Sequence, residues 1–151
     1  MAGMTYSLKG AALTESFEAA SGPVLVAYAD HLAGGKPTVG WGHTGPDVVV
    51  GTTWTRAQCE EALMNDIHWA SNVVNSLVHI SLTQGEFDAL VDFTYNVGSG
   101  NFASSTMLKL LNQNEIAQAA LEFEKWDKAK GVVVAGLLRR RLAEKEEFNN
   151  G

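Results

Sequence analysis

Cysteine is almost absent. Cys59 is the only one in 151 residues, so no internal disulfide can brace the chain, which suits a reducing cytoplasm. Cys59 sits within an apolar and charged helical run, where it reads as a structural thiol rather than a nucleophile. Proline is scarce too, with three residues: Pro23 is placed to stop a first helix, and Pro37 and Pro46 punctuate the stretch after it. No apolar run reaches the length of a membrane span, and the opening MAGMTYSLKGAALTESFE has no signal-type apolar core, so neither leader nor membrane anchor is expected. Positive charge is not in excess. The formal charge is −6, with acidic and basic residues interspersed, which removes the electrostatic case for nucleic acid or an anionic membrane surface. The four histidines, His31, His43, His68 and His79, come without H-E-x-x-H or a spaced Cys/His set, so no metal is expected. Nor does any G-x-S-x-G support acyl transfer.

What is present fits one globular unit with a real core: 46% of residues are apolar. Apolar spacing at Leu13 and Phe17 predicts a short first helix ending near Ser21. The stretch from Val24 to Gly51 is rich in β-branched and aromatic residues broken by Gly-Gly and proline, the pattern of short strands and turns. Thr55-x-x-Gln58 reads as a capping box opening a long helix through Leu63, Ile67, Val73, Val74 and Leu77, and Thr83-x-x-Glu86 opens a second through Phe87, Leu90 and Val91 that Gly98 and Gly100 end. From Ser104 to Phe148 helical stretches alternate with polar breaks. The expected class is α+β and mainly helical: an N-terminal α/β lobe over about 1–54, a connecting helix over about 55–78, and a helical lobe over about 79–151.

TVGWGHTGP contains G-x-G-x-x-G in Gly40, Gly42 and Gly45, but Pro46 and the β-type residues after it deny the helix on which a dinucleotide pyrophosphate sits. No cofactor is expected. The glycines suit a tight ribbon approaching another element closely. On a strand, Thr38, Gly40 and Gly42 share one face and Trp41 and His43 the other. Trp41 is open between groove wall and core, and His43 is expected to be a hydrogen-bonded histidine with Asp66 as its partner.

Carboxylates are the better chemical lead. Glycoside hydrolysis uses a protonated carboxyl on the leaving oxygen and a second, ionised carboxylate, and Glu18 and Asp30 form the natural pair. At roughly 100° per residue, Glu18 lies about 100° from Phe17 on the edge of a buried stripe, whereas Glu15 lies about 160° away on the solvent face. Partial desolvation of Glu18 is therefore expected.

The runs LTESFEA, AYAD and PTVGWGHTG, followed in order by WTRAQCEEALMND, LTQGEFDALVDFTYNVGSGNF, SSTMLKLLN, EFEKW and GLLRRRLAE, resemble the phage-type lysozymes, endolysins of glycoside hydrolase family 24. The resemblance extends from about Leu13 to Phe148. It implies a lysozyme-like fold with a cleft between two lobes, and hydrolysis of the β-1,4 bond between N-acetylmuramic acid and N-acetylglucosamine in bacterial peptidoglycan. By the same resemblance Glu18 is the general acid, Asp30 the second carboxylate and Thr38 the residue positioning water. His43 and Asp66 are supporting residues, as is Arg140, which approaches Glu18 in this reading. Tyr95, Asn96 and Thr106 are groove residues, and Trp41 stays open between groove wall and core. The T4-like branch points to inversion, while sequence leaves retention open. Two departures from the family are visible: Ala19 stands where glycine usually follows the acid, with three extra residues in AASGPV, and the gap from Asp30 to Thr38 is two residues longer than usual.

The resemblance also implies a monomer that accumulates in the host bacterial cytoplasm and reaches the wall after a holin opens the membrane. No separate wall-binding domain fits in the remaining residues, so recognition is expected in the cleft itself. The Arg139-Arg140-Arg141 run is expected to be a solvated helix face. Two alternatives stand beside the muramidase: a non-catalytic peptidoglycan-binding or scaffolding module on the same fold, and a zinc amidase cutting the peptide stem.

Overall fold

The structure, a computed structural model, describes residues 3–19 and 21–151. It contains α1 (Leu8–Glu18), β1 (Val24–Asp30), β2 (Lys36–Gly40), β3 (His43–Thr44), α2 (Arg56–Leu77), α3 (Gln84–Val97), α4 (Ser99–Ala103), α5 (Thr106–Asn112), α6 (Ile116–Leu121), β4 (Lys128–Ala129), β5 (Val132–Val133) and α7 (Ala135–Asn150). Two compact units divide the chain, one of residues 14–68 and the other of residues 1–13 with 69–151.

The 14–68 unit is built on an antiparallel sheet of order β1-β2-β3. Tyr28 pairs with Thr38, Asp30 with Lys36, and Val39 with His43. The ribbon turns at Trp41-Gly42, with Gly40 at φ +69° and Gly42 at φ +82°, so Trp41 lies in a turn and not on the strand face expected of it. A Cβ on Gly40 would stand 3.1 Å from the Cβ of Cys59, which makes Gly40 a close-approach residue. Ala27, Val39 and Val48 form a small core, with Trp54 packed on it. The segment before α2 closes on β1 through Ala27 N–H to Thr52 O at 2.9 Å and Trp54 N–H to Leu25 O at 2.7 Å. At the start of α2 the backbone N–H of Thr55 donates to Gln58 Oε1 (2.8 Å) and that of Gln58 to Thr55 Oγ1 (3.1 Å), so two otherwise orphaned donors are satisfied reciprocally. Helix α1 ends at Glu18, three residues short of Ser21. The chain then turns through a Gly22 N–H to Ala19 O bond, with Gly22 at φ +96°.

The other unit is helical, around α3. Its Thr83 cap and Glu86 form a reciprocal box, and residues 87–94 are all buried. The edges of Phe102, Phe123 and Trp126 meet Phe93 at centroid distances of 5.6–6.3 Å, a favourable aromatic geometry. The first thirteen residues group with this unit, where an N-terminal lobe running to about residue 54 was expected. The reason lies in side-chain hydrogen bonds that span some 70 to 80 residues in sequence: Met4 N–H to Asn75 Oδ1 at 3.0 Å, Gln84 Nε2 to Thr5 O at 2.9 Å, and Ser7 to Asp88. Residues 128–133 form a β4–β5 hairpin where only helix and breaks were expected. Lys130 at φ +52° and Gly131 at φ +80° supply its turn. Among the described residues no helix is long and apolar enough to cross a membrane.

Candidate active site

Asp30 ends β1, half-buried. Its Oδ1 accepts the Leu32 N–H at 3.0 Å and caps a short 3-10 turn, while its carbonyl accepts the Gly35 N–H at 2.8 Å. One carboxylate oxygen is thus fixed by backbone. In the turn of this hairpin Gly34 and Gly35 adopt φ +70° and +80°, a conformation that glycine takes without a Cβ penalty. Thr38, on β2, is 3% exposed, and its hydroxyl donates to Lys36 O at 3.0 Å. Because Asp30 faces Lys36 and Thr38 faces Tyr28 across the ladder, Asp30 and Thr38 are diagonal neighbours on one face. Sheet geometry puts such positions about 7–8 Å apart.

Glu18 departs from expectation. It is exposed, whereas Glu15 is half-buried. The buried stripe of α1 centres on Gly10, Ala11 and the fully buried Thr14, with Leu13 and Phe17 only half-buried, so Phe17 was the wrong origin for the angles. Glu18 keeps the face of Thr14, four residues before it, but it is the last residue of the helix. Burial pushes the Glu15 carboxyl above the usual range, the neighbouring Glu60 adds to this, and Arg56 opposes it.

His43 is gripped on both sides. Its Nδ1 lies 2.8 Å from Asp66 Oδ2, and its Nε2 lies 3.0 Å from Asp47 Oδ2. Two carboxylates demand two N–H donors, which only the imidazolium has. Burial disfavours the charged ring, but the hydrogen bonds to Asp66 and Asp47 outweigh it and hold the His43 pKa above its ordinary value. The same bond holds Asp47 below the usual carboxylate range. Asp47 was missed from sequence; its only signal was an acid four residues after His43. Trp54 stands beside the imidazole, ring centroids 5.6 Å apart.

Trp41, left open between groove wall and core, is 2% exposed with the Arg56 guanidinium 5.4 Å from its ring centroid. It is a core residue. In the helical unit, half-buried Tyr95 lies 6.1 Å from Trp69, and Asn96 and Thr106 are exposed. Trp69, 41% exposed, had no signal beyond a place on the long helix. The arginine run is not a solvated face, since Arg140 and Arg141 are 5% and 0% exposed. Arg140 makes a two-pronged pair with Asp92, at 3.0 and 2.8 Å. Arg141 binds Glu144 and stacks on Phe93, 5.1 Å from its centroid. Only Arg139 is exposed. Complete burial, reinforced by Asp92, drives the Glu144 carboxyl well above its usual pKa, against the pull of Arg141. Among the described residues no group of three or more His, Cys, Asp or Glu side chains is placed to hold a metal ion.

Residues 18–144 match the family model for phage lysozyme. The endolysin of Bacillus phage PZA is 42% identical over 98% of this chain, and the match takes in 56% of that relative, so this chain spans about half of its length. A P22 lysozyme variant superposes with a TM-score of 0.87 at 36% identity, covering 97% of this chain and 99% of that one. The muramidase domain of SpmX from Asticaccaulis excentricus does so with a TM-score of 0.83 at 33% identity and the same coverage.

Proposed function

The chain belongs to the phage lysozyme family, and from that premise we propose that it is an endolysin muramidase, hydrolysing the β-1,4 bond between N-acetylmuramic acid and N-acetylglucosamine in bacterial peptidoglycan. The observation that carries this reading is the placement of Asp30 and Thr38 on one face of a hairpin, each with a polar group fixed by backbone. Thr38 spends its only hydroxyl hydrogen on Lys36 O. Its oxygen is therefore left as an acceptor, the role needed to orient a water by one of that water's hydrogens. In this mechanism the water attacks the anomeric carbon and passes its proton to Asp30, while Glu18 protonates the departing glycosidic oxygen. Water and leaving group on opposite faces give inversion. Glu18 is exposed, so a glycan has access to its carboxyl and itself supplies the desolvation that a general acid uses. His43, between Asp47 and Asp66, supports the ribbon from α2, and Arg140 acts through the helical unit. Tyr95, Asn96 and Thr106 are proposed as glycan-contacting residues of the helical unit.

The test is purified protein on peptidoglycan with EDTA present. New reducing ends, with the released anomer read by NMR before mutarotation, support an inverting muramidase. Free amine ends that EDTA abolishes mean an amidase, and binding without products means a non-catalytic module. Glu18→Gln is expected to cut turnover at least about 100-fold while folded; wild-type turnover would shift the acid to another residue, with Glu15 the first to examine. We further propose a monomer that accumulates in the host bacterial cytoplasm and reaches the wall through a separate holin. Expression with and without a holin, followed by culture turbidity, tests that dependence.

A further inference from the structure

We infer that Tyr28 is a substrate-contacting residue, its ring forming the stacking surface for the sugar that Asp30 and Thr38 address. The inference rests on the placement of the site at Asp30 and Thr38.

Register is the first argument. Tyr28 pairs directly with Thr38, and Asp30, two residues on, pairs with Lys36. The ladder is regular from Tyr28 to Asp30, its one irregularity falling between Val24 and Tyr28. With a period of two, Tyr28 and Asp30 share a face, and a directly opposed pair such as Tyr28 and Thr38 has Cβ atoms about 4.5–5.5 Å apart. Tyr28 is thus flanked by both residues, along its strand and across it. Division of labour on the strand is the second argument. The preceding Ala27, 3% exposed, packs with Val39 and Val48 on the opposite face, whereas Tyr28 is 40% exposed. A large aromatic that contributes little to the core presents a flat π-face with a polar tip. Chemistry is the third. A pyranose offers a face of slightly positive C–H groups to the negative face of an aromatic ring and hydroxyls to its edge, and glycan sites combine such a surface with a few placed polar groups. Asp30 and Thr38 are those polar groups here.

The probe is a peptide-free tetrasaccharide of alternating N-acetylglucosamine and N-acetylmuramic acid. Binding is measured by calorimetry on the Glu18→Gln protein, so that the probe stays intact. Adding Tyr28→Ala is expected to weaken binding roughly tenfold, Tyr28→Leu to weaken it similarly while keeping apolar bulk on the strand, and Tyr28→Phe to stay within about twofold. Tyr28 ring protons are expected to shift on titration, which a merely structural residue would not show. Equal binding by folded Tyr28→Leu and Tyr28→Phe proteins, an unmoved Tyr28 spectrum, or no binding by the Glu18→Gln protein overturns the inference. Binding that depends on Tyr28 in a chain whose native form releases no reducing ends upholds the inference and defeats the proposed hydrolysis.

Discussion

The doubly gripped imidazole of His43 makes stability depend on pH in a defined direction. Its side chain is 14% exposed, with Asp66 32% and Asp47 56% exposed. A charge-assisted bond in a partly buried site contributes about 1.5 kcal/mol, and the exposed Asp47 arm, screened by solvent, about 0.5. Removing the ring with His43→Gln is therefore expected to cost about 2 kcal/mol near pH 6, or roughly 4–8 °C in Tm for a chain of this size. Deprotonation costs less. Neutral imidazole keeps one N–H, which the better-buried Asp66 retains, and its other nitrogen then turns a lone pair on Asp47; about 1 kcal/mol, or 2–4 °C, is lost. Because the folded pKa of His43 is raised, this contribution is complete below the unfolded value near 6.5 and disappears as pH rises through the folded value. The Asp47 contribution has the opposite sense: its folded pKa is lowered, so it is complete above about 3.9 and fades as pH falls through the folded value. The assay is thermal unfolding by circular dichroism from pH 5 to 9.5, comparing the native chain with His43→Gln, Asp66→Asn and Asp47→Asn. The gap between native and His43→Gln curves is expected to narrow from about 2 to about 1 kcal/mol on the alkaline side, with Asp66→Asn costing more than Asp47→Asn. Parallel native and His43→Gln curves across pH 6 to 9 would refute the reasoning.

Other perturbations test the remaining physical claims. Glu15→Gln is expected to stabilise the fold slightly at pH 7, by a few tenths of a kcal/mol given partial exposure, read as a small rise in Tm, because burial and Glu60 both disfavour the charge; the gain should fade as pH falls through the carboxylate range and vanish at about pH 3, where Glu15 is protonated in both folded and unfolded forms. Asp92→Asn removes the carboxylate charge of the two-pronged pair with Arg140, in a site where the two side chains are 0% and 6% exposed, so a loss of about 3 kcal/mol is expected, visible in urea unfolding as a lower midpoint. Gly85→Ala places a Cβ 2.6 Å from Glu147 O and 2.1 Å from the Cα of Gly151. Overpacking there should cost about 1–3 kcal/mol, and a Tm equal to that of the native chain would show that the end of α7 yields freely.

Where the sequence was legible, the signal was short in range. Thr55 with Gln58 and Thr83 with Glu86 are contacts three residues apart, and both boxes close as their letters indicate. The glycines of TVGWGHTGP read as turn and close-approach residues for the same reason: a positive φ is a property of one residue and its immediate neighbours. The His43–Asp66 contact spans 23 residues, and it was expected because a buried imidazole requires a hydrogen-bond partner and the family resemblance pairs it with an acid on the long helix. Asp47 escaped notice because an acid in a turn is ordinarily solvated. The β4–β5 hairpin escaped because KAKGVVV is a short run whose periodicity does not separate strand from helix.

By itself, the amino-acid sequence determined the fold class, the starts of the two principal helices, the ribbon bearing Thr38 and His43, and the family resemblance, all carried by letters in order and by contacts within a turn or two. Tertiary structure alone decided which face of α1 is buried, and so exposed Glu18 in place of Glu15. It also made Trp41 a core residue, drew Arg140 and Arg141 inside against Asp92 and Glu144, and grouped the first thirteen residues with the helical unit. Burial is set by whatever distant segment packs on a surface, and that segment is absent from any local window. A charged residue goes inside when another element brings it a partner of opposite charge, and no spacing rule within α7 reveals that Asp92, 48 residues away from Arg140, will be there.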